Sequence, residues 1–304
     1  MTFRSGFVCI VGRPNTGKST LTNALVGSKV AITSDKPQTT RHAIRGIVHN
    51  EAGQIVLVDT PGIHRPKTLL GSRLNELVKA TWTDVDLIAM CFPADQPIGP
   101  GDRMISNDLG GMMRTPKVAL LTKTDLVSKK VMAERLIGIQ KLAETQGFEW
   151  EAIVPLSAVN GENLEVLTKV LIDELPEGPA LYPAGEITEE TDEKIIAEFI
   201  REAALDGVED ELPHSIAVVV EEMKLREDRP ASKPLVDIHA FLFVERNSQK
   251  AIVIGKGGAR LKHVGQTARN QIERHLGVKV YLDLRVKIAP DWQRDPKQLT
   301  RLGF

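Results

Sequence analysis

Three observations predict an α/β fold joined to a smaller α+β unit. From residue 7 to about residue 174, short β-branched or apolar runs alternate with longer amphipathic stretches, the pattern of a mostly parallel sheet wrapped by helices. Residues 175–185 interrupt that alternation with three prolines and two glycines, the composition of a linker. Behind the interruption the charge balance swings: residues 184–234 hold 6 basic and 15 acidic side chains, net −9, and residues 235–304 hold 13 and 6, net +7, although the whole chain stands at −1. A length of 304 residues with 42% hydrophobic content suffices for two cores, expected over residues 1–178 and 191–304 with a linker at 179–190.

In chain order, strands are expected at residues 7–12 (FVCIVG), 43–50 (AIRGIVHN), 54–59 (QIVLVD), 85–92 (VDLIAMCF), 117–122 (KVALLT) and 150–157 (WEAIVPLS). Helices are expected between them at 18–26, 71–82, 101–113, 130–146 and 164–173. Beyond the linker the pattern gives a helix at 192–205, strands at 214–224 and 235–245, a glycine turn, a helix at 259–276 and a last strand at 278–286. Cys9 and Cys91 each sit in an apolar run without CxxC or Cys/His metal spacing, so buried thiols are expected, with no disulfide and no zinc. No apolar run reaches the ~18 residues of a spanning helix, and the opening MTFRSGFVCIVG leads into a strand, so a soluble cytosolic protein is expected. No heptad pattern opposes a monomer.

The chemistry concentrates at the carboxyl ends of the expected strands, where such folds bind ligands. Gly12-Arg13-Pro14-Asn15-Thr16-Gly17-Lys18-Ser19, followed by Thr20, fits the Walker A pattern between a strand and a helix. Its glycines let backbone N–H groups curl around a β-phosphate, Lys18 reaches the β- and γ-oxygens, Ser19 offers a hydroxyl to Mg²⁺, and the helix amino terminus adds positive potential. Asp59-Thr60-Pro61-Gly62 closes the third strand, so Asp59 is positioned to hold Mg²⁺ through water while the Gly62 N–H meets the γ-phosphate. Gln38-Thr39-Thr40-Arg41-His42 lies in a polar loop suited to a switch, where a threonine hydroxyl completes the metal shell. A turn threonine without a ligand role is the bland reading of any one of these, and their order and spacing speak against it.

A Walker A loop does not select the base. Thr122-Lys123-Thr124-Asp125 ends the fifth strand, and Leu156-Ser157-Ala158 follows the sixth. Asp125 can accept from guanine N1–H and the exocyclic amine, Lys123 can lay its methylenes along the base, and the Ala158 N–H can donate to guanine O6. Adenine offers no such set, and buried groups left unpaired with the wrong base make discrimination large. A P-loop kinase or ATPase is therefore disfavoured. The seven histidines show no HExxH pairing, and no GxSxG elbow is present. His64, beside the expected switch, is the one histidine worth testing.

With GRPNTGKST, PQTTRH, DTPG, TKTD, LSA, VIGKGG and the closing WQRDPKQLTRLGF, nearly the whole chain resembles the Era family, bacterial GTPases of the TRAFAC class with a carboxy-terminal KH RNA-binding domain. The resemblance implies a P-loop GTPase domain and a type II-like KH domain, GTP or GDP with Mg²⁺, and Thr40 rather than Thr39 as the switch ligand. It also implies binding to the 3′ end of small-subunit ribosomal RNA, a role in assembling that subunit, and peripheral membrane association. One position departs: the family usually has asparagine where this chain has Thr122, for which a loss of ~1 kcal/mol in nucleotide affinity is expected, partly offset if the hydroxyl keeps one contact.

In Ras-type enzymes a glutamine after the DxxG glycine positions the attacking water, but here that place holds Ile63, so slow intrinsic turnover is expected. Asn15 resembles the asparagine that in some relatives coordinates K⁺ near the phosphates, which makes Lys18, Thr40, Gly62 and Asn15 the expected catalytic set. In the basic half, Val253-Ile254-Gly255-Lys256-Gly257-Gly258 supplies a GxxG turn before an amphipathic helix. Such a loop lets backbone approach phosphates, beside a groove for about four nucleotides. Gly255, Lys256, Gly257 and Gly258 with Arg260 and Lys262 are expected to meet phosphate, with Ile252 and Ile254 as apolar floor. An RNA-binding module that holds nucleotide and barely hydrolyses it is the alternative, prompted by Ile63 and Thr122.

Overall fold

Strands that are apolar on both sides need cover on both sides, and that requirement organises the larger part of the molecule. The computed structural model describes residues 2–34, 36, 39–63, 66–208, 212–230 and 232–304. It divides into two units, Met1–Lys67 with Gly71–Glu189, and Thr68–Leu70 with Glu190–Phe304.

The first unit carries β1 (Arg4–Val11), α1 (Lys18–Val26), β2 (Ile44–Asn50), β3 (Gly53–Asp59), α2 (Leu69–Thr83), β4 (Leu87–Pro93), α3 (Pro100–Gly110), β5 (Lys117–Thr122), α4 (Lys129–Gln146), β6 (Ala152–Pro155) and α5 (Leu164–Glu174). Its sheet runs β2-β3-β1-β4-β5-β6, with β2 antiparallel to β3 and every other pairing parallel. Successive side chains of a strand point to opposite faces. Val8 and Ile10 thus join Leu57, Ala89 and Leu120 under Leu21 of α1 and Leu167 and Leu171 of α5. Cys9 and Val11 join Met90 and Leu121 under Val78 and Trp82 of α2, Ile105 and Leu109 of α3 and Ile139 of α4. Both cysteines are buried free thiols, as expected. Burial pushes Cys91 up to about 12 and Cys9 further in the same direction, so neither is a nucleophile near neutral pH. The strand expected over 150–157 shortens to Ala152–Pro155 because Trp150 serves the core instead, its Nε1–H donating to Ile139 O at 3.2 Å with its ring edge-on to Phe92 and Phe148.

Parallel strands place their carboxyl ends on one side, so the loops after β1, β3, β5 and β6 share one edge of the sheet. The segment expected to be a linker is hydrogen-bonded to the first unit. Ser5 N–H donates to Pro176 O and Gly178 N–H to Phe3 O. The buried Gln54 amide accepts from the Leu181 and Tyr182 N–H groups and donates to Tyr182 O. Ile47 N–H donates to Ile187 O, and Arg45 pairs with Glu189 at 2.5 Å. This strap follows β2, and its nonlocal partners are why composition alone reads it as a linker.

The second unit carries α6 (Asp192–Leu205), α7 (Leu212–Ser215), β7 (Ala217–Leu225), β8 (Leu235–Val244), α8 (Asn247–Ile254), α9 (Ala259–Leu276), β9 (Lys279–Ile288) and α10 (Pro296–Arg301). β7 pairs antiparallel with β8, and β8 parallel with β9, a pairing that needs a crossover, here α8 and α9. Ile196, Phe199 and Ile200 of α6, Val264, Ala268 and Ile272 of α9, and Ile238, Ala240 and Leu242 of β8 are buried. Trp292 is fully buried, donates to Ser215 O and stacks on Phe304. Three short helices were not expected. α8 starts where Gln249 Oε1 accepts from the Glu245 and Arg246 N–H groups, and α10 where Asp295 caps Lys297 and Gln298 with Pro296 at its first turn. α7 takes residues 212–215, so β7 starts at Ala217 and not at 214. Among the described residues no helix is long and apolar enough to cross a membrane.

Candidate functional site

The loop between β1 and α1 delivers an anion site by its own geometry. Gly17 precedes α1, whose first turn has no side-chain cap and no acidic residue, the arrangement that leaves helix N–H groups to an anion. The cleft is open to solvent and is lined by Pro14, Asn15, Gly17, Lys18, Ser19, Thr20, Thr39, Thr40 and Gly62 among others. Lys18 is buried, with Nζ donating to Arg13 O at 3.0 Å and to Gly12 O at 3.4 Å. Desolvation holds its pKa below the ordinary lysine range, against the pull of Asp59. Gly62 crosses this loop so closely that a Cβ would lie 2.7 Å from Pro14 N, which only glycine permits. Asn15 is exposed at the mouth with φ 62°. Ile63 is buried in the core beneath.

The start of α1 and the end of β3, with the loop between α1 and β2, also build an oxygen site. Asp59 is fully buried, and neither carboxylate oxygen has a hydrogen-bond partner. Burial pushes its pKa up to about 6, against the opposing charge of Lys18 and the nearby Ser19 hydroxyl. Two orphaned oxygens at this depth call for a cation. Ser19 Oγ and Thr40 Oγ1 stand 2.9 Å apart beside it, whereas Thr39 Oγ1 closes a turn onto Lys36 O. One carboxylate and two hydroxyls fit Mg²⁺, which keeps waters and phosphate oxygens as its other ligands. Gln38 and His64 lie outside the described residues.

The base end is built from β5 and β6. Asp125 Oδ1 accepts from Ser157 Oγ at 2.6 Å, and the same hydroxyl accepts from Asn160 N–H, which fixes the carboxylate. Ala158, next to Ser157, is half-buried. Lys123 adopts φ 59° and pairs with Asp95 at 3.6 Å. Thr122 is buried, and its hydroxyl donates to Thr16 O at 2.6 Å with Phe92 O at 3.2 Å. Its single proton therefore ties the loop after β1 to the end of β5, just before the turn that carries Asp125. Thr122→Val leaves Thr16 O without that donor, and GDP is expected to dissociate about tenfold faster, whereas Thr122→Ser retains most of the affinity. Stopped-flow release of a fluorescent GDP checks this, and a valine variant with an unchanged rate sinks it.

Several expected contact residues turn out to brace the site. Thr60 is fully buried with its hydroxyl on Ile10 O, Thr16 Oγ1 closes onto Arg13 O, and the Arg13 side chain leaves the cleft for Asp102. Pro61 is buried. Asp95, Asp102 and Glu162, which bonds Thr124 Oγ1, went unnoticed in the sequence because nothing local marks them.

In the second unit, Gly255, Gly257 and Gly258 take φ of 72°, 60° and 79° between α8 and α9. A Cβ on Gly255 would fall 2.7 Å from Arg260 Cβ, so the turn needs glycine there. Lys256 and Lys262 are exposed, Ile252 is 54% exposed, and Ile254 is half-buried. α9 begins without a side-chain cap or an acidic residue in its first turn. Arg260 corrects the expectation of a phosphate contact. Its guanidinium donates to Ala204 O, Asp206 O and Gly207 O, closing the carboxyl end of α6.

Comparison with known proteins adds to this geometry. Residues 7–123 match the family described as 50S ribosome-binding GTPase, and residues 211–293 match the KH domain family. The chain is 62% identical over 301 residues to GTPase Era of Streptomyces coelicolor, covering 99% of this chain and 95% of that protein. It is 64% identical over 303 residues to GTPase Era of Mycolicibacterium smegmatis, covering 99% of each. The crystal structure of Era in complex with MgGDPNP and nucleotides 1506–1542 of 16S ribosomal RNA matches with TM-score 0.93 at 36% identity, covering 99% of each chain. A variant of Aquifex aeolicus Era bound to GDP and aluminium fluoride matches with TM-score 0.92 at 36% identity over the same shares.

Proposed function

The chain belongs to the Era family of GTPases, and from that membership we propose that it is a GTP-hydrolysing switch whose KH domain binds small-subunit ribosomal RNA near its 3′ end and assists assembly of that subunit. The observation that carries this reading is the convergence of Lys18, Ser19 and Thr40 at one cleft, with the carboxylate of Asp59 buried next to Lys18 and Ser19 and Asp125 held by Ser157, on a chain that also bears the Gly255–Gly258 turn. The relative solved with 16S RNA matches over both domains, which favours the small subunit.

Lys18 trades two main-chain carbonyls for β- and γ-phosphate oxygens, a charge-assisted exchange. Mg²⁺, held by Ser19, Thr40 and Asp59, supplies positive charge to the phosphate oxygens. The Gly62 N–H meets the γ-phosphate, and Thr40 with Gly62 orders the flanking loops only while that phosphate is present. Asp125, Lys123 and the Ala158 N–H read guanine. Ile63, buried and apolar, offers no hydrogen bond to the attacking water, so intrinsic turnover is slow, and Asn15 at the loop mouth holds K⁺ there. The protein works in the cytoplasm. Peripheral membrane association remains a family expectation, opposed by the net −9 of residues 184–234 near an anionic bilayer.

Steady-state phosphate release from GTP and ATP, with and without RNA bearing the small-subunit 3′ end, tests the reading in KCl and in NaCl of equal strength. GTP-selective turnover that responds to RNA supports the switch, and equal rates in the two salts remove the K⁺ role. Tight RNA binding without turnover favours the passive RNA-binding module that the buried Ile63 suggests. On the RNA side, Lys256→Ala is expected to weaken binding and to lower the salt slope by about 0.7, one phosphate contact on a single strand. Arg260→Ala lowers the melting temperature instead and leaves that slope unchanged. Anisotropy titrations over a range of KCl distinguish the two, and an unchanged slope for Lys256→Ala removes it from the interface.

A further inference from the structure

Arg13 occupies the second position of the phosphate-binding loop, yet its side chain turns away from the cleft. Its Nε donates to Asp102 Oδ1 at 2.8 Å, and Nη1 reaches Gln96 Oε1 at 3.3 Å. Asp102 belongs to the first turn of α3 and is 1% exposed. Its second oxygen is also engaged, accepting the Gly99 N–H at 2.8 Å, so one carboxylate both caps α3 and holds the loop. The pair lies in a slot lined by Phe92, Pro93, Pro97 and Ile98, with the carboxylate buried and the arginine side chain partly exposed. The slot is shaped to its occupant. A Cβ at Gly101 would lie 2.6 Å from Arg13 Cδ, so the aliphatic stem of the arginine rests against a bare backbone.

The main chain of the same residue does a second job. Arg13 O accepts both Lys18 Nζ and Thr16 Oγ1, each at 3.0 Å. The carbonyl that orients the buried ammonium is therefore carried by the residue whose side chain is anchored in α3. We propose that Asp102 is a positioning residue of the nucleotide site, which acts through Arg13 to fix the first bend of the phosphate-binding loop and hence the direction of Lys18. No residue of α3, Asp102 included, is among those lining the cleft, so its effect reaches the site through Arg13. The inference rests on the nucleotide-site reading above.

Asp102→Asn is the first variant to make. Its Oδ1 still accepts Gly99 N–H and keeps α3 capped, but its amide N–H₂ group then faces the guanidinium, donor against donor. GDP release is expected to accelerate at least tenfold, and kcat for GTP to fall about tenfold, while the preference of GTP over ATP stays as it was, because Asp125, in the turn after β5, takes no part in this contact. Arg13→Gln should reproduce both changes, and the double variant should be no worse than twofold beyond either single one, since both remove one interaction. Arg13→Lys, which keeps a charge for Asp102, should recover part of the loss, and if Asp102→Asn does not fold the two Arg13 variants carry the test. A lowered melting temperature with wild-type GDP release and kcat would overturn the proposal, leaving Asp102 a helix cap. Additive losses in the double variant would overturn it as well. A wild-type protein that binds no GTP would instead sink the nucleotide-site reading itself.

Discussion

Asp125→Asn is expected to lower GTP affinity by about 10⁴-fold and to let XTP bind in its place. Guanine presents two donors on one edge, N1–H and the exocyclic amine, and Asp125 is an acceptor for both. Asparagine offers one acceptor and one donor, which matches the N1–H and the C2 carbonyl of xanthine and leaves a donor facing a donor on guanine. The substitution should not disturb the pocket, because the remaining carbonyl oxygen can still accept from Ser157 Oγ, now at 2.6 Å from Asp125 Oδ1. Competition of GTP, XTP and ATP against a fluorescent GDP on the wild type and variant reads the exchange. Loss of GTP without gain of XTP would mean that the pocket collapsed, and unchanged GTP affinity would remove Asp125 from base recognition.

Lys18→Ala is expected to reduce kcat/KM for GTP by about 10³-fold, the scale of removing an oriented donor from charge developing on transferring phosphoryl oxygens. Stability should respond in a different sense from activity. Lys18 is buried, with a pKa depressed by desolvation, and its partners in the free protein are two carbonyls and not a paired carboxylate. The nucleotide-free variant should therefore melt at the same temperature as the wild type or higher. Its stabilisation by added GTP should fall, because linkage scales with occupancy. Thermal melts with and without MgGTP, beside phosphate release, separate the two effects. Hydrolysis within tenfold of wild type would show that Lys18 is not the group that meets the phosphates.

The parts of this molecule that were legible in the sequence are those whose cause is local. The glycine spacing of residues 12–18, the strand before it and the helix after it are set within one stretch of chain, and α1, α6 and α9 occupy the expected residues. The motifs assign Asp59 and Ser19 to one metal, the family resemblance adds Thr40, and the fold brings the two hydroxyls within 2.9 Å. What escaped was the direction of side chains that find partners far along the chain. Arg13 and Arg260 sit in binding motifs and by residue type alone look like phosphate ligands, yet one reaches Asp102 and the other closes α6. Thr122 is a converse case. Its hydroxyl keeps a contact to the phosphate-binding loop, an offset foreseen as a condition whose fulfilment only a fold can show. The short helices α7, α8 and α10 escaped because four to eight residues give too little periodicity to distinguish from a loop.

The strap over residues 176–189 has a consequence for the solution behaviour of the protein. β2 is the last strand on its side of the sheet, and an uncovered last strand offers a row of amides and carbonyls to any other chain. The strap occupies that row, with Ile187 O on Ile47 N–H, Thr188 Oγ1 on Arg45 O and Glu186 O on the His49 ring. A cut or a proline in this stretch would leave the GTPase core folded but sticky, prone to pair edge to edge with its own copies. The charged and polar residues of the strap therefore serve as a solubility seal for the sheet, in addition to carrying the chain onward.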